Sequence, residues 1–502
     1  MLLIEDVAAL LIRVVAVLVA IKLAFLFLIF YRRVTRRRYY VTKDAARARY
    51  RSIVARFTDG ELGVNEAVAA LTTANAPAHQ DAINELLLAR VTPQTAARIT
   101  DLFYALGHIH RWTRAVFGRG RGSDRLVEEV MRGEPVSARP PRPRWVERIR
   151  RLRVFSIPRA IALGHLARLT PPVAHALATE AVRDPSAEVR QVAILTLGAA
   201  HDPAAIPLLL DELRRAAELG NDVSVRSIKA ALSRCKIEDL HRFLPWLGHP
   251  TPRVRFLVVD TVRDICNRAE MQMVLNKNDF SPEFYTAFLE RVIRDDNPDV
   301  RARSAAVVRH FRDRAAVDAL SLLMADDNHF VRLHAVRAAG GYAALMPDLV
   351  RRVTDDSWRV REAAVRTLAA FGVSGINEIY RHFTTSTDPY ANEQVADEIQ
   401  RDGLVSDLIG SLVATDASRQ LGIATCQKLA RMGKGSVLNA AVASLRLPEP
   451  RIVLMEALMV APTDELLELL DLLSRNETGP VAETAARLLQ GHAQGTPGSS
   501  LA

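Results

Sequence analysis

One unit recurs along the middle of this chain and limits what it can fold into. DPSAEVR (184–190), DDNPDVR (295–301), DDNHFVR (326–332) and DDSWRVR (355–361) each place an Asp six residues before an Arg. The pairs are Asp184/Arg190, Asp295/Arg301, Asp326/Arg332 and Asp355/Arg361, and two weaker copies end at Arg226 and Arg255. Successive arginines lie 36, 29, 46, 31 and 29 residues apart. Apolar helical stretches such as AVDALSLLMA and MPDLVRRV precede the turns, and small-residue runs such as QVAILTLGAA and EAAVRTLAAF follow the arginines. The unit reads as helix, short polar turn, helix. The Asp polarises a turn where the second helix begins with unpaired N–H groups. A lone helix pair of this length cannot bury its apolar face, so copies must stack into a one-dimensional core. The fold class is therefore all-α. With aromatics at 6% and only 24 Gly, a β-sandwich is disfavoured, and 3 Cys exclude a disulfide scaffold.

The D-x-x-x-x-V-R turn, followed by an A-x-x-x-L-G-type helix, resembles HEAT repeats, in the short variety named after phycobilisome lyases. The resemblance is clearest over 157–375. It implies an inter-repeat ladder along the solenoid, built from Asp184, Asp295, Asp326 and Asp355 with Arg190, Arg226, Arg255, Arg301, Arg332 and Arg361. Gly220 and His249 stand in the Asp position of the weaker copies, so the ladder departs from the pattern there. The long step from Arg255 to Arg301 predicts an insertion at 271–284. Degenerate repeats continue to 490, and 491–502 reads as a disordered tail.

The N-terminus is of another kind. Val7 to Tyr31 is apolar apart from Arg13 and Lys22. As a helix it spans roughly 37 Å, enough for a hydrocarbon core of about 30 Å. Its two charges fall on opposite helix faces, which favours a spanning helix over an interfacial one. Lys22 lies deep, and is read either as a snorkelling side chain or as an intramembrane contact with a partner's segment. Glu5 and Asp6 precede the span, and YRRVTRRRYY follows it. The positive-inside rule then predicts a single-pass protein of the inner (cytoplasmic) membrane, with residues 1–6 outside and the bulk in the cytoplasm. Arg32, Arg33, Arg36, Arg37 and Arg38 form a collar for anionic lipid, and Tyr31, Tyr39 and Tyr40 suit the interface. The expected order is a transmembrane helix at 7–31, a basic juxtamembrane segment at 32–58 and a small helical region at 59–117. A Pro/Arg-rich linker with its lead-in helix at 118–156 then runs into a HEAT-like α-solenoid at 157–490.

The formal net charge of +10 is local. Residues 32–56 hold ten bases against Asp44, and 139–153 hold Arg139, Arg142, Arg144, Arg148, Arg150, Arg151 and Arg153 against Glu147. The rest of the chain is mildly acidic. The second cluster is either a solvated linker or a docking patch for an anionic partner. Trp112 and Trp145 are the aromatics near it that could stack on a base.

No catalytic constellation emerges. His108 and His110 diverge on a helix, MGKGS (432–436) is phosphate-loop-like only in composition, and the paired Asp residues recur with the repeat. No cofactor, metal or small-molecule substrate is expected. The leading expectation is a membrane-tethered, non-catalytic scaffold whose partner is a membrane protein or complex. Similarity to anchored HEAT proteins of bacteria implies envelope or polysaccharide assembly. One alternative is a lyase or chaperone-like protein acting on a bound chromophore or protein, which needs a His- or Tyr-rich concave face. Another is a nucleic-acid-binding solenoid, disfavoured by the acidic balance outside the two basic clusters.

Overall fold

A computed structural model describes residues 2–72, 76–117, 121–131, 153–220, 223–272, 279–401, 403–414 and 417–495. Among these residues the regular elements are helices, with no strand. The chain divides into two units, Met1–Arg234 and Cys235–Ala502.

The first unit opens with α1 (Leu2–Thr58), a single helix of 57 residues. It contains neither Gly nor Pro, so no residue in it breaks the backbone hydrogen-bond ladder. The separately read segments 7–31 and 32–58 are thus one element. Twelve large apolar side chains from Val15 to Phe30 are each at least half exposed. Towards its C-terminus α1 becomes amphipathic. Ala46, Tyr50, Val54 and Phe57 recur at three- and four-residue steps and are buried. That stripe packs on α3 (Pro77–Leu88), with α2 (Val64–Leu71) alongside.

Next come α4 (Ala96–Ala105), α5 (His108–Phe117) and α6 (Arg121–Met131). They are followed by α7 (Arg153–Leu169), α8 (Pro171–Ala181), α9 (Ala187–Ala200), α10 (Ile206–Leu219) and α11 (Val225–Leu232). α5 packs on α7, α7 and α8 pack on α9, and α9 packs on α11, so 59–117 is continuous with the repeats of this unit. α6 lies inside the segment read as a linker. Its Leu126 and Val127 are buried between α5 and α8, a short apolar face that outweighs the neighbouring glycines. At the α9–α11 crossing, a Cβ on Gly198 would lie 2.5 Å from the Ala231 Cβ, so only Gly permits this approach.

Among the described residues the second unit is a run of eight helix pairs. The first pair is a 3₁₀ turn (Ile237–Phe243) with α12 (Leu244–Leu247), then α13 (Pro252–Met271). The pairs that follow are α14 (Pro282–Glu290) with α15 (Pro298–Val308), α16 (Arg314–Met324) with α17 (His329–Ala338), and α18 (Met346–Arg352) with α19 (Trp358–Ala369). Then come α20 (Val373–Thr385) with α21 (Pro389–Arg401), and α22 (Leu404–Ser411) with α23 (Ala417–Arg431). The last are α24 (Ser436–Ser444) with α25 (Pro448–Leu458), and α26 (Asp464–Asn476) with α27 (Pro480–Gly495). The pairs therefore stay regular past 375, where the motif fades, and the last helix enters the stretch read as a tail.

The second helices stack in order, α13 on α15, α17, α19 and α21. Their inward Val and Ala residues (Val300, Ala305, Val331, Ala335, Val360, Ala364) are fully buried, small enough for close helix contact. After α21 the stacking shifts, and α23 packs on α20. The α19–α20 corner is tight. A Cβ on Gly375 would meet the Leu368 carbonyl oxygen at 1.8 Å. Part of the long step between Arg255 and Arg301 is taken up by α13, which runs 20 residues; of the insertion expected at 271–284, residues 273–278 lie outside the described residues.

Candidate functional site

The recurring Asp and Arg perform one construction in every strong copy. The Asp Oδ1 accepts the N–H two residues on: Ser186 at 2.9 Å, Asn297 at 2.9 Å, Asn328 at 2.9 Å and Ser357 at 3.0 Å. The Asp thus closes the turn, and the N-cap itself is that second residue. The Arg Nη1 reaches back to the carbonyl of the residue six before it. Arg190, Arg301, Arg332 and Arg361 bond Asp184, Asp295, Asp326 and Asp355 at 2.7–2.9 Å. Arg255 treats His249 the same way, at 2.8 Å.

The other edge of each guanidinium faces the next repeat. Arg255 holds Asp295 through two bonds (2.6 and 2.7 Å), Arg301 holds Asp326 (2.7 and 2.9 Å), and Arg332 holds Asp355 (2.7 Å twice). Each rung is a bidentate, charge-assisted pair. Burial acts to raise the Asp326 and Asp355 carboxyls, but the arginine bonds outweigh it and hold both below the ordinary carboxylate range. The Asp hydrogen bonds in turn raise Arg255, Arg301 and Arg332.

The first unit carries a shorter version. Asp184 is held by Arg159 at 2.7 Å, both side chains buried. Arg159 lies outside any recognisable copy. Its spacing of 25 residues to Asp184, equal to that of Arg301 to Asp326, is the signal that identifies it. Where Gly220 replaces the next Asp, Arg190 faces Glu212 at 3.8 Å, a buried carboxylate supplied by α10. Arg226 is exposed, with no acidic partner among the described residues. The ladder thus departs at the second copy, whereas at the third, with His249, Arg255 still makes its rung.

At the other end of the first unit, α1 is clamped to α3. Lys43 and Arg47 both donate to Glu85, and the Tyr39 hydroxyl donates to Asp81. Tyr50 shares a 3.0 Å hydrogen bond with His79 Nδ1. Burial acts to raise Glu85, but its two basic partners outweigh it and lower the carboxyl. Tyr39 is thereby half-buried and spoken for, while Tyr31 and Tyr40 are exposed. Arg32, Arg33, Arg36, Arg37 and Arg38 are all exposed, as is Lys22 within the apolar stretch. Of the second basic cluster, Arg139, Arg142, Arg144, Arg148, Arg150 and Arg151 lie outside the described residues, and Arg153 begins α7. Trp112 is not available to stack on a base. It is 8% exposed and packs against Phe103, His108 and His165.

Other candidate chemistry resolves into packing. His108 is buried, its Nδ1 2.8 Å from Asn84 Oδ1. Burial, with Arg111 and His165 nearby, pushes it down to about 4. Burial pushes the Cys235 and Cys426 thiols up to about 12, and raises Cys266 as well. Among the described residues no group of three His, Cys, Asp or Glu is placed to hold a metal ion.

The family model for HEAT repeats matches residues 285–369, the segment holding three of the strong turns. That match, the paired helices and the ladder make this chain an all-α HEAT-repeat solenoid. Among solved structures it is similar to Kap121p, at 11% identity over 88% of this chain and 53% of that one, with a TM-score of 0.37. Kap95p, in a structure with RanGDP, gives 11% identity over 88% and 68%, with a TM-score of 0.34. Human deoxyhypusine hydroxylase in complex with glycerol gives 17% over 59% and 98%, with a TM-score of 0.21. The chain spans about half the length of Kap121p. TM-scores of this size carry no argument about function. No curated protein matched the chain.

Proposed function

We propose that this protein is a membrane-tethered, non-catalytic scaffold whose repeats present a binding surface to a protein partner at the cytoplasmic membrane face. One observation carries the reading. From Val15 to Phe30 α1 is exposed on all sides and continues, unbroken, into a stretch clamped to the body. Each of its large side chains forfeits about 1.5–3 kcal/mol in water, an apolar excess that calls for a bilayer. The exposed arginine collar directly below supports the N-outside orientation and a layer of anionic lipid. Lys22 is then left for a carboxylate on a partner's membrane segment. An envelope or polysaccharide-assembly complex of a bacterial inner membrane is the setting this layout suits.

The full chain should stay with membranes through alkaline carbonate extraction. A membrane-impermeant thiol label should reach a Cys placed at Leu2 in intact cells but not one placed at Trp358. Release by carbonate, or the opposite labelling pattern, refutes the tether. Crosslinking in membranes should enrich one reproducible complex, and its consistent absence refutes the scaffold.

A further inference from the structure

The ladder of the second unit stops one rung early. Ser386 stands 25 residues after Arg361, as Asp326 stands after Arg301. Its turn keeps the ladder's hydrogen bonds with shorter side chains. The Ser386 hydroxyl accepts the Asp388 N–H at 3.2 Å, as Asp326 accepts that of Asn328. Asn392, six residues on, donates to the Ser386 carbonyl at 3.0 Å, as Arg332 does to that of Asp326. What the turn lacks is the carboxylate.

The consequences gather at this step. Arg361 uses Nη1 on the carbonyls of Asp355 (2.8 Å) and Asp356 (3.3 Å), while its buried Nε has no partner among the described residues. Asn392 is 7% exposed, and its Oδ1 is likewise unpartnered. Lys428 brings a second cation to the turn by donating to the carbonyls of Phe383 and Ser386. Asp388 directs its Oδ1 to the N–H groups of Tyr390 and Ala391 and makes no ion pair with Arg361. The two helices that meet at this step, α19 and α21, each carry an exposed aromatic. Trp358, one helical turn before Arg361, is 54% exposed, and Tyr390 is 75% exposed.

We infer that Arg361 receives a carboxylate from a partner's polypeptide, an Asp, Glu or C-terminal group flanked by apolar residues, which completes the ladder from outside. Nη2 bonds the next Asp in the two rungs before it, and a guanidinium–carboxylate hydrogen bond is charge-assisted and strong. Exposed Trp358, one turn away on the same helix, supplies an apolar anchor beside it, and Tyr390 a second on α21. The inference leans on the scaffold reading only for the ligand being a protein segment.

The test uses the full chain in detergent, followed by Trp fluorescence with Trp358→Phe as the signal control. The probes are a short peptide with one Glu among Leu residues, its Gln counterpart, and sodium acetate. The Glu peptide should bind at least tenfold more tightly than the Gln peptide. Ser386→Asp, which supplies the rung internally, should abolish that preference and slow hydrogen exchange of α19 and α21 at least tenfold. Arg361→Gln should also abolish the preference. Equal binding of the two peptides overturns the inference, as does a Ser386→Asp variant with unchanged hydrogen exchange and binding. Acetate competing at the peptide's own concentration overturns the protein-segment ligand in favour of a free small carboxylate. Carbonate extraction is indifferent to all of these outcomes, so failure here and failure of the tether are told apart.

Discussion

Replacing Asp355 by Asn tests whether the ladder holds the repeats together. Asp355 is the most enclosed rung carboxylate of the second unit, its side chain 1% exposed against 11% for Arg332. It accepts two bonds from Arg332, one from the Ser357 N–H and a longer one from Arg352. Removing one member of a buried pair costs about 3–5 kcal/mol, because the remaining charge stays buried. Asn keeps the acceptor for Ser357, so the low end applies, about 3 kcal/mol or on the order of 100-fold in an opening equilibrium. A stacked array opens in parts, so a single melting temperature is the wrong readout. Hydrogen exchange of α17 and α19 should accelerate about 100-fold, with α25 and α27 unchanged. Asp356 is the internal control. It is exposed and makes no ion pair among the described residues, so Asp356→Asn should cost under about 0.5 kcal/mol. Equal effects of the two substitutions, or loss of protection only in remote helices, would refute the assignment of Asp355 as an inter-repeat tie.

Three further outcomes are expected. Gly375→Ala forces its Cβ onto the Leu368 carbonyl and should cost about 1–3 kcal/mol, read as faster exchange at the α19–α20 corner, whereas Gly410→Ala, with open space around it, should cost little. His108 is kept neutral by burial, with its folded value pushed to about 4 from an ordinary 6.5. Its contribution is therefore present above pH 6.5 and lost as pH falls towards 4, so the stability of the first unit should decline over that window, less steeply in His108→Gln. Glu85→Gln removes the negative charge shared by Lys43 and Arg47 across the α1–α3 seam and weakens both contacts. Exchange should rise in residues 40–50 of α1 while carbonate extraction stays as in the wild type.

The repeats were legible because their chemistry is written in residue types. An Asp six before an Arg, recurring at about thirty residues, marks a turn and a tie together. What self-similarity could not find are the places where the geometry persists and the residue types change. Glu212 replaces a turn Asp from a helix, a substitution invisible to turn-based matching. Ser386 and Asn392 keep their hydrogen bonds with shorter side chains, so the later pairs looked degenerate although the backbone repeats to Gly495. α6 was hidden because Gly and Pro on its flanks outvoted one short apolar face. Lys43, Arg47 and Tyr39 fall in the basic juxtamembrane segment, and nothing local marks them as a clamp because their acidic partners lie about forty residues away on α3.

The unbroken course of α1 has a mechanical consequence. Thr58 lies 27 residues beyond Tyr31 on the same helix, about 40 Å along its axis. A spanning helix answers a change in bilayer thickness by tilting. With no Gly or Pro to act as a joint, the tilt cannot be absorbed between the anchor and the clamp at α3. A change of about 10° in the anchor swings the far end of the helix by roughly 7 Å and carries α3 with it. Under the membrane-tether proposal, such a stalk is a lever as well as a tether, and local membrane thickness would set where its load is held.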